Sequence, residues 1–147
     1  SEWPRHIGHE ERGVKLIKNM CQRFRVPTEY RELAETVSRY HLHCHRALEL
    51  RADTLLKTLE GINAFRKPER VEWFLLACEA DARGRKGLEQ RDYPQTELFR
   101  RAHAAARAIG SEAASADAHG AEIGAQIRAR RIAAIAEIRR EFPPTAS

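Results

Sequence analysis

The sequence predicts an all-α fold, a helical bundle of about six helices. Apolar residues recur at the helical period through most of the 147 residues. The prolines, with Gly84, Gly87, Gly110 and Gly120, fall between or beyond the periodic stretches. No alternating apolar–polar run of useful length is present, and no internal repeat of roughly 20–50 residues.

Val14, Ile17, Cys21 and Phe24 place a first helix within His9 to Arg25. Val26-Pro27-Thr28 breaks it, and Thr28 is expected to N-cap the second helix. Tyr30, Leu33, Ala34, Val37 and His41 mark that helix's inner face. Ala52-Asp53-Thr54 is expected to cap a short third helix carrying Leu55, Leu56, Leu59 and Ile62. Lys67-Pro68 opens a fourth, with proline at a tolerated first-turn position. Its stripe is Val71, Phe74, Leu75, Cys78 and Ala82, and Gly84 and Gly87 end it. Arg91-Asp92-Tyr93-Pro94 reads as loop. Leu98, Ala102 and Ala105 indicate a fifth helix ending near Gly110. A sixth starts after Gly120 and runs to about Phe142, where Pro143-Pro144 stops it. Residues 113–120 are small and polar, suited to a weak helix or a hinge. A soft boundary is therefore expected between residues 1–110 and 111–147.

The length fits one domain with a core of its own. Hydrophobic residues make up 42% and charged residues 32%, which is a globular composition and not a disordered one. No apolar run approaches the roughly 20 residues of a membrane span, and no secretory leader opens the chain. Ser1 opens it instead, with a motif-like segment already under way, which suggests a piece of something longer. Cys21, Cys44 and Cys78 form no CxxC pair, so reduced, partly buried thiols in a cytoplasmic protein are expected. Twenty-six Lys and Arg against 21 Asp and Glu leave a charge of +5, mostly from arginine. An Arg-rich surface favours a phosphate-rich partner.

Two features carry chemistry. The first is the run His41, His43, His45. On a helix His41 and His45 lie one turn apart and can share a divalent metal. Asp81 falls on the otherwise apolar side of the fourth helix, where a carboxylate is costly unless paired or metal-bound. A partner arginine such as Arg83 or Arg46 would satisfy it equally. The second is the last helix. At about 100° per residue, Arg128, Arg131 and Arg139 fall within roughly 80° of one another. Ile123, Ile127, Ala134 and Ile138 take another face. This divides the helix into a docking stripe and a basic stripe suited to RNA phosphates. Arg83, Arg85 and Lys86 add a second basic patch beside Asp81. Trp73 and Tyr93 are expected in core or loop packing before base stacking.

Several blocks are recognisable in order. Trp3-Pro4-Arg5-His6-Ile7-Gly8-His9-Glu10 resembles the stretch that follows the His-Asp dyad in the HD-domain portion of bacterial CCA-adding enzymes. His45-Arg46-Ala47-Leu48-Glu49-Leu50, Arg66-Lys67-Pro68-Glu69-Arg70 and Glu79-Ala80-Asp81-Ala82-Arg83-Gly84-Arg85 are similar to its next blocks. So are Asp92-Tyr93-Pro94-Gln95, Gly120-Ala121-Glu122-Ile123-Gly124 and Arg130-Arg131-Ile132-Ala133-Ala134. The resemblance implies the C-terminal part of a tRNA nucleotidyltransferase that adds C, C and A to tRNA from CTP and ATP with Mg²⁺. It implies a partial HD-type domain over 1–110, with a helical tail over 111–147. It further implies phosphohydrolase chemistry on Ni²⁺ or another divalent metal in the parent. By position it makes His9, His41 and Asp81 remnant metal ligands. Arg85, Lys86, Arg128, Arg131 and Arg139 become the expected tRNA contacts.

The chain also departs from that pattern. It has no His-Asp dipeptide, no Gly-rich phosphate loop and no paired Asp, since Asp53, Asp81, Asp92 and Asp117 are far apart. The expectation is a fragment without catalytic residues of its own. The alternative is a stand-alone basic helical interaction module with an incidental histidine cluster.

Overall fold

The computed structural model describes residues 9–24, 27–84, 87 and 90–144, the side chains of His9 and Phe24 excepted. The described residues form six α-helices and no strand: α1 (His9–Phe24), α2 (Thr28–His45), α3 (Ala52–Gly61), α4 (Glu69–Arg83), α5 (Gln95–Arg107) and α6 (Ala121–Arg140). Two 3₁₀ turns, Ala47–Glu49 and Ser111–Ala113, lie before α3 and after α5. None of the described helices is long and apolar enough to cross a membrane.

Prolines set three of the helix starts. Pro27, Pro68 and Pro94 occupy the cap positions of α2, α4 and α5. Thr28 is thus the first helical residue and not the cap, and the Pro27 carbonyl accepts the Tyr30 and Arg31 N–H groups at 3.1 and 3.2 Å. Arg51 rather than Ala52 caps α3, and its guanidinium bonds the Asp53 carboxylate at 3.1 Å. At the far end of α3, Asn63 takes φ 63°. The Asn63 N–H reaches Glu60 O and the Ala64 N–H reaches Leu59 O, both at 3.0 Å. That is a Schellman closure with asparagine as the left-handed residue. Gly120, at φ 53°, makes the sharp entry into α6 that a side chain would strain.

Helix α1 packs on α2, α2 on α4, and α4 on α5; α6 lies across α3 and α5. Phe74, Phe99, Leu55, Leu56, Leu59, Ile62, Leu75, Leu98 and Ile135 fill the core. Phe74 meets Phe99 edge-to-face at 6.4 Å between ring centres. Residues 111–120 run as a 3₁₀ turn and further turns. Trp73 departs from expectation: it lies on the outer side of α4, 46% exposed, next to exposed Leu76.

Candidate functional site

The histidine run occupies the last two turns of α2. Glu32 pairs with Arg70 and His45 with Asp81, so α2 and α4 run parallel. His45 Nε2 lies 2.8 Å from Asp81 Oδ2, and His45 Nδ1 lies 2.7 Å from Tyr93 Oη. The Tyr93 hydroxyl also reaches Cys44 Sγ at 3.4 Å. The Gln95 amide donates to the His45 carbonyl at 3.0 Å and fixes the end of the helix. Burial is the main reason the Tyr93 phenol is held well above its usual range.

His41 faces the same way as His45, with ring centres 5.8 Å apart. Its Nδ1 lies 2.9 Å from Val37 O and 3.2 Å from Ser38 O. Carbonyls only accept, so Nδ1 carries the proton and Nε2 keeps a lone pair. That is the tautomer a metal-ligating histidine adopts. His43 instead turns its ring edge to Tyr40 at 5.8 Å, and its buried Nδ1 has no partner.

The structure therefore joins Asp81 to His45, one turn beyond His41. The arginine partners expected from the sequence are engaged elsewhere as well. Arg46 bonds Glu49 at 3.1 Å, and Arg83 holds Glu79 at 2.7 Å and the Arg91 carbonyl at 3.1 Å. The buried-carboxylate argument fails because the Asp81 side chain is 47% exposed. Among the described residues no group of three or more His, Cys, Asp or Glu stands close enough to hold a metal ion. Both ring nitrogens of His45 are engaged. These donors do not by themselves fit a closed divalent site, and no chemical step is derived through one. The side chain of His9 lies outside the described residues.

The basic patches divide differently from the helical-wheel reading. Ile135, fully buried, seats α6, with Ile132 and Ile138 packed against the core beside it. Arg128, Arg131 and Arg139 share that side with the isoleucines instead of taking a free face. Arg131 donates to the Ile109 carbonyl at 3.1 Å and lies 4.4 Å from the centre of the Phe65 ring. Arg139 donates to the Leu50 carbonyl at 2.8 Å, to Phe142 O at 3.1 Å, and to Leu48 O. These carbonyls end α5 and the first 3₁₀ turn, where helices leave acceptors without internal partners. A guanidinium on a long apolar stem can cross packed surface and still reach them. Arg128 forms an exposed pair with Glu60 at 3.0 Å. The outward arc of α6 presents Arg130 and Arg140, both exposed. Arg85 and Lys86 lie outside the described residues.

Among the described residues His103, on α5, is the buried histidine. Its Nε2–H donates to the Ala64 carbonyl at 3.0 Å, and its ring meets Phe65 at 5.7 Å. Burial lowers its pKa below the usual histidine value and keeps it neutral. Sequence reading missed both the His45–Tyr93 link and His103. The first was signalled only by the one-turn spacing of His41 and His45. The second was signalled by a histidine on the inner stripe Phe99, Ala102, Ala106.

No family model and no solved structure matches the chain. Curated proteins do match it. The multifunctional CCA protein of Thioalkalivibrio sulfidiphilus is 51% identical over 140 residues, 95% of this chain and 34% of the relative. That of Alkalilimnicola ehrlichii is 51% identical over 142 residues, 96% of this chain and 34% of the relative. That of Nitrosococcus oceani is 53% identical over 135 residues, 91% of this chain and 33% of the relative. The chain thus spans about a third of the length of the curated relatives it matches. Along nearly its whole length, it is homologous to that third of the bacterial multifunctional CCA proteins.

Proposed function

We propose that the chain is the C-terminal, tRNA-contacting helical region of a CCA-adding tRNA nucleotidyltransferase. The whole protein would add C, C and A to tRNA 3′ ends from CTP and ATP with Mg²⁺. It would also carry an HD-type phosphohydrolase site for Ni²⁺ or a similar ion. One observation carries the reading: identity near one residue in two, across 95% of the chain, to proteins named for CCA. The ordered blocks from Trp3 to Ala134 support its C-terminal placement.

In this reading RNA phosphates meet the outward arc of α6. Arg130 and Arg140 are exposed there, and Arg128 has only an exposed pair to exchange. Such a pair is worth at most about 1 kcal/mol, so a phosphate can displace Glu60. Arg85 and Lys86 would extend the interface beyond α4. Arg131 and Arg139 serve by seating α6, so that the arc is held at a fixed angle. His9, His41 and Asp81 would belong to the metal pocket of the longer protein. Here His41 offers one free lone pair and Asp81 one carboxylate, which is too few donors to activate water.

The test is tRNA binding against salt. Removing one phosphate-binding side chain should lower the slope of log affinity on log salt by about 1. Arg130→Ala and Arg140→Ala should each do so, and no change in either would remove α6 from the interface. The 147-residue chain alone should neither incorporate labelled CTP into tRNA nor open 2′,3′-cyclic AMP, with Mg²⁺ or Ni²⁺ present. Turnover abolished by Asp81→Ala would show that the ligands present suffice and would overturn the inactive-fragment reading.

A further inference from the structure

A cleft opens between the turn segment after α5 and the middle of α6. Glu112, Ala113, Ala114 and Ser115 line it from the turns, and Gln126, Ala129 and Arg130 from the helix. Its volume is about 540 Å³, within the range of small-molecule sites. The Glu112 carboxylate curls back onto the backbone, where its Oε1 accepts the Gly110 N–H at 2.9 Å. Backbone N–H bonds hold its pKa below the usual carboxylate value, so it is ionised and acts only as an acceptor. Gly110 permits this pose, because a Cβ there would stand 2.5 Å from Glu112 Oε2. Gln126 is fixed through Ser115: the Ser115 N–H donates to its Oε1 at 2.7 Å, and its Nε2 donates to Ser115 Oγ at 3.3 Å. That leaves one N–H of the Gln126 amide for a ligand. Arg130, one turn further along α6, is exposed and has no ion pair among the described residues.

We propose that this cleft takes one unpaired guanine nucleotide of RNA, its base against Glu112 and Gln126 and its phosphate on Arg130. The inference rests on the tRNA-contacting reading above, and it adds a base to the phosphates that α6 meets.

The donor pattern of the base decides the choice. Guanine carries N1–H and an N2 amino group side by side, two donors for one carboxylate, with the O6 acceptor next to them for an amide N–H. Each carboxylate oxygen has two lone pairs, so the bond from Gly110 does not exhaust Glu112. Adenine and cytosine place a ring acceptor beside their amino group, and an ionised carboxylate repels it. Uracil has a single N–H between two carbonyls. The methyl groups of Ala113, Ala114 and Ala129 supply apolar surface for the base without filling the space. A guanidinium suits a phosphate because it donates two parallel hydrogen bonds. Pairing in a duplex consumes the edge that Glu112 would read, so the nucleotide must be unpaired.

The experiment titrates the ¹⁵N-labelled 147-residue chain with GMP, AMP, CMP and UMP and follows its amide signals. GMP should move the signals of Gly110, Ser115 and the Gln126 side chain, and should bind about tenfold more tightly than the other three. A short single-stranded RNA with one central guanine should bind more tightly than GMP. The same RNA with adenine at that position should lose about tenfold. Glu112→Gln should abolish the guanine preference. Gly110→Ala keeps the carboxylate but displaces it, and should reduce the preference while the melting curve stays unchanged. Arg130→Ala should weaken all four nucleotides alike and keep the preference. Equal affinities for the four nucleotides, or an undiminished preference in Glu112→Gln, would overturn the site. GMP binding at least as tightly as the guanine-bearing RNA would overturn RNA as its source. The salt slope of tRNA binding separates the two readings. A slope that responds to Arg130→Ala without any guanine preference removes this site and leaves the tRNA interface. A guanine preference without tRNA binding removes the tRNA interface and leaves the site.

Discussion

Arg130 and Arg131 are neighbours in sequence, yet replacing them should have opposite consequences. Arg131→Ala removes a charge-assisted hydrogen bond to the Ile109 carbonyl at 3.1 Å and a cation–π interaction at 4.4 Å from the Phe65 centre. The first is worth about 1.5 kcal/mol at a half-exposed site, the low end for charged donors. The second adds about 0.5–1 kcal/mol. Together they give about 2 kcal/mol, or a drop of about 4–8 °C in Tm for a domain of this size. Arg130→Ala removes an exposed side chain and should stay within about 0.5 kcal/mol. Circular dichroism melts of the two variants beside the wild type measure this directly. In tRNA binding the order reverses: Arg130→Ala lowers the salt slope by about 1, and Arg131→Ala leaves it unchanged below its melting range. Equal melts for both variants would refute the placement of Arg131 over Phe65. Arg131→Lys discriminates further, since a point ammonium cannot stack and donate from one plane, and it should recover less than half the stability that Arg131→Ala removes.

Ile135→Ala should cost about 2–5 kcal/mol because the side chain is fully buried where α6 meets the core, and urea midpoints with an unchanged slope would show it. The pH dependence follows from His103. Its folded pKa lies below the 6.5 of a free histidine, so the unfolded chain binds more protons as the medium is acidified. The stability it contributes is complete above pH about 6.5 and is lost as pH falls below that, at up to about 1.4 kcal/mol per unit. His103→Gln keeps an N–H for the Ala64 carbonyl, and it should flatten this part of a urea-midpoint profile between about pH 7.5 and 5.5. Arg139→Met keeps the apolar stem but leaves the Leu48 and Leu50 carbonyls without their donor, and should lower Tm by about as much as Arg131→Ala.

The helices were legible because their punctuation is local. Pro27, Pro68 and Pro94 remove an N–H and fix φ, and they break or start helices whatever surrounds them. The stripes of α3 and α4 were legible for a similar reason, since Leu55, Leu56, Leu59, Phe74 and Leu75 have no alternative to burial. The face of α6 was not. Isoleucines occur around much of its circumference, so the wheel alone did not fix its seating. The choice was made by distant carbonyls at Leu48, Leu50 and Ile109, which no local pattern announces. The partner of Asp81 was hidden in the same way. Its bond to His45 depends on the parallel run of α2 and α4, a relation between segments that are 36 residues apart.

The seating of α6 also bears on how the chain assembles. Arg139 bonds residues 89 and 91 positions earlier, and Ile135 completes a core otherwise built from α2 to α5 and the 3₁₀ turn before α3. A chain made from its N-terminus onward therefore keeps the interior of its earlier helices open until the 20 residues of α6 are available. Pairings of such long sequence separation slow folding, because the loop they close must be ordered before they contribute. Until α6 arrives, α3 and α5 lack the helix that packs against both. A ribosome-stalled or truncated product ending near Gly120 is thus expected to be collapsed, sticky and protease-sensitive.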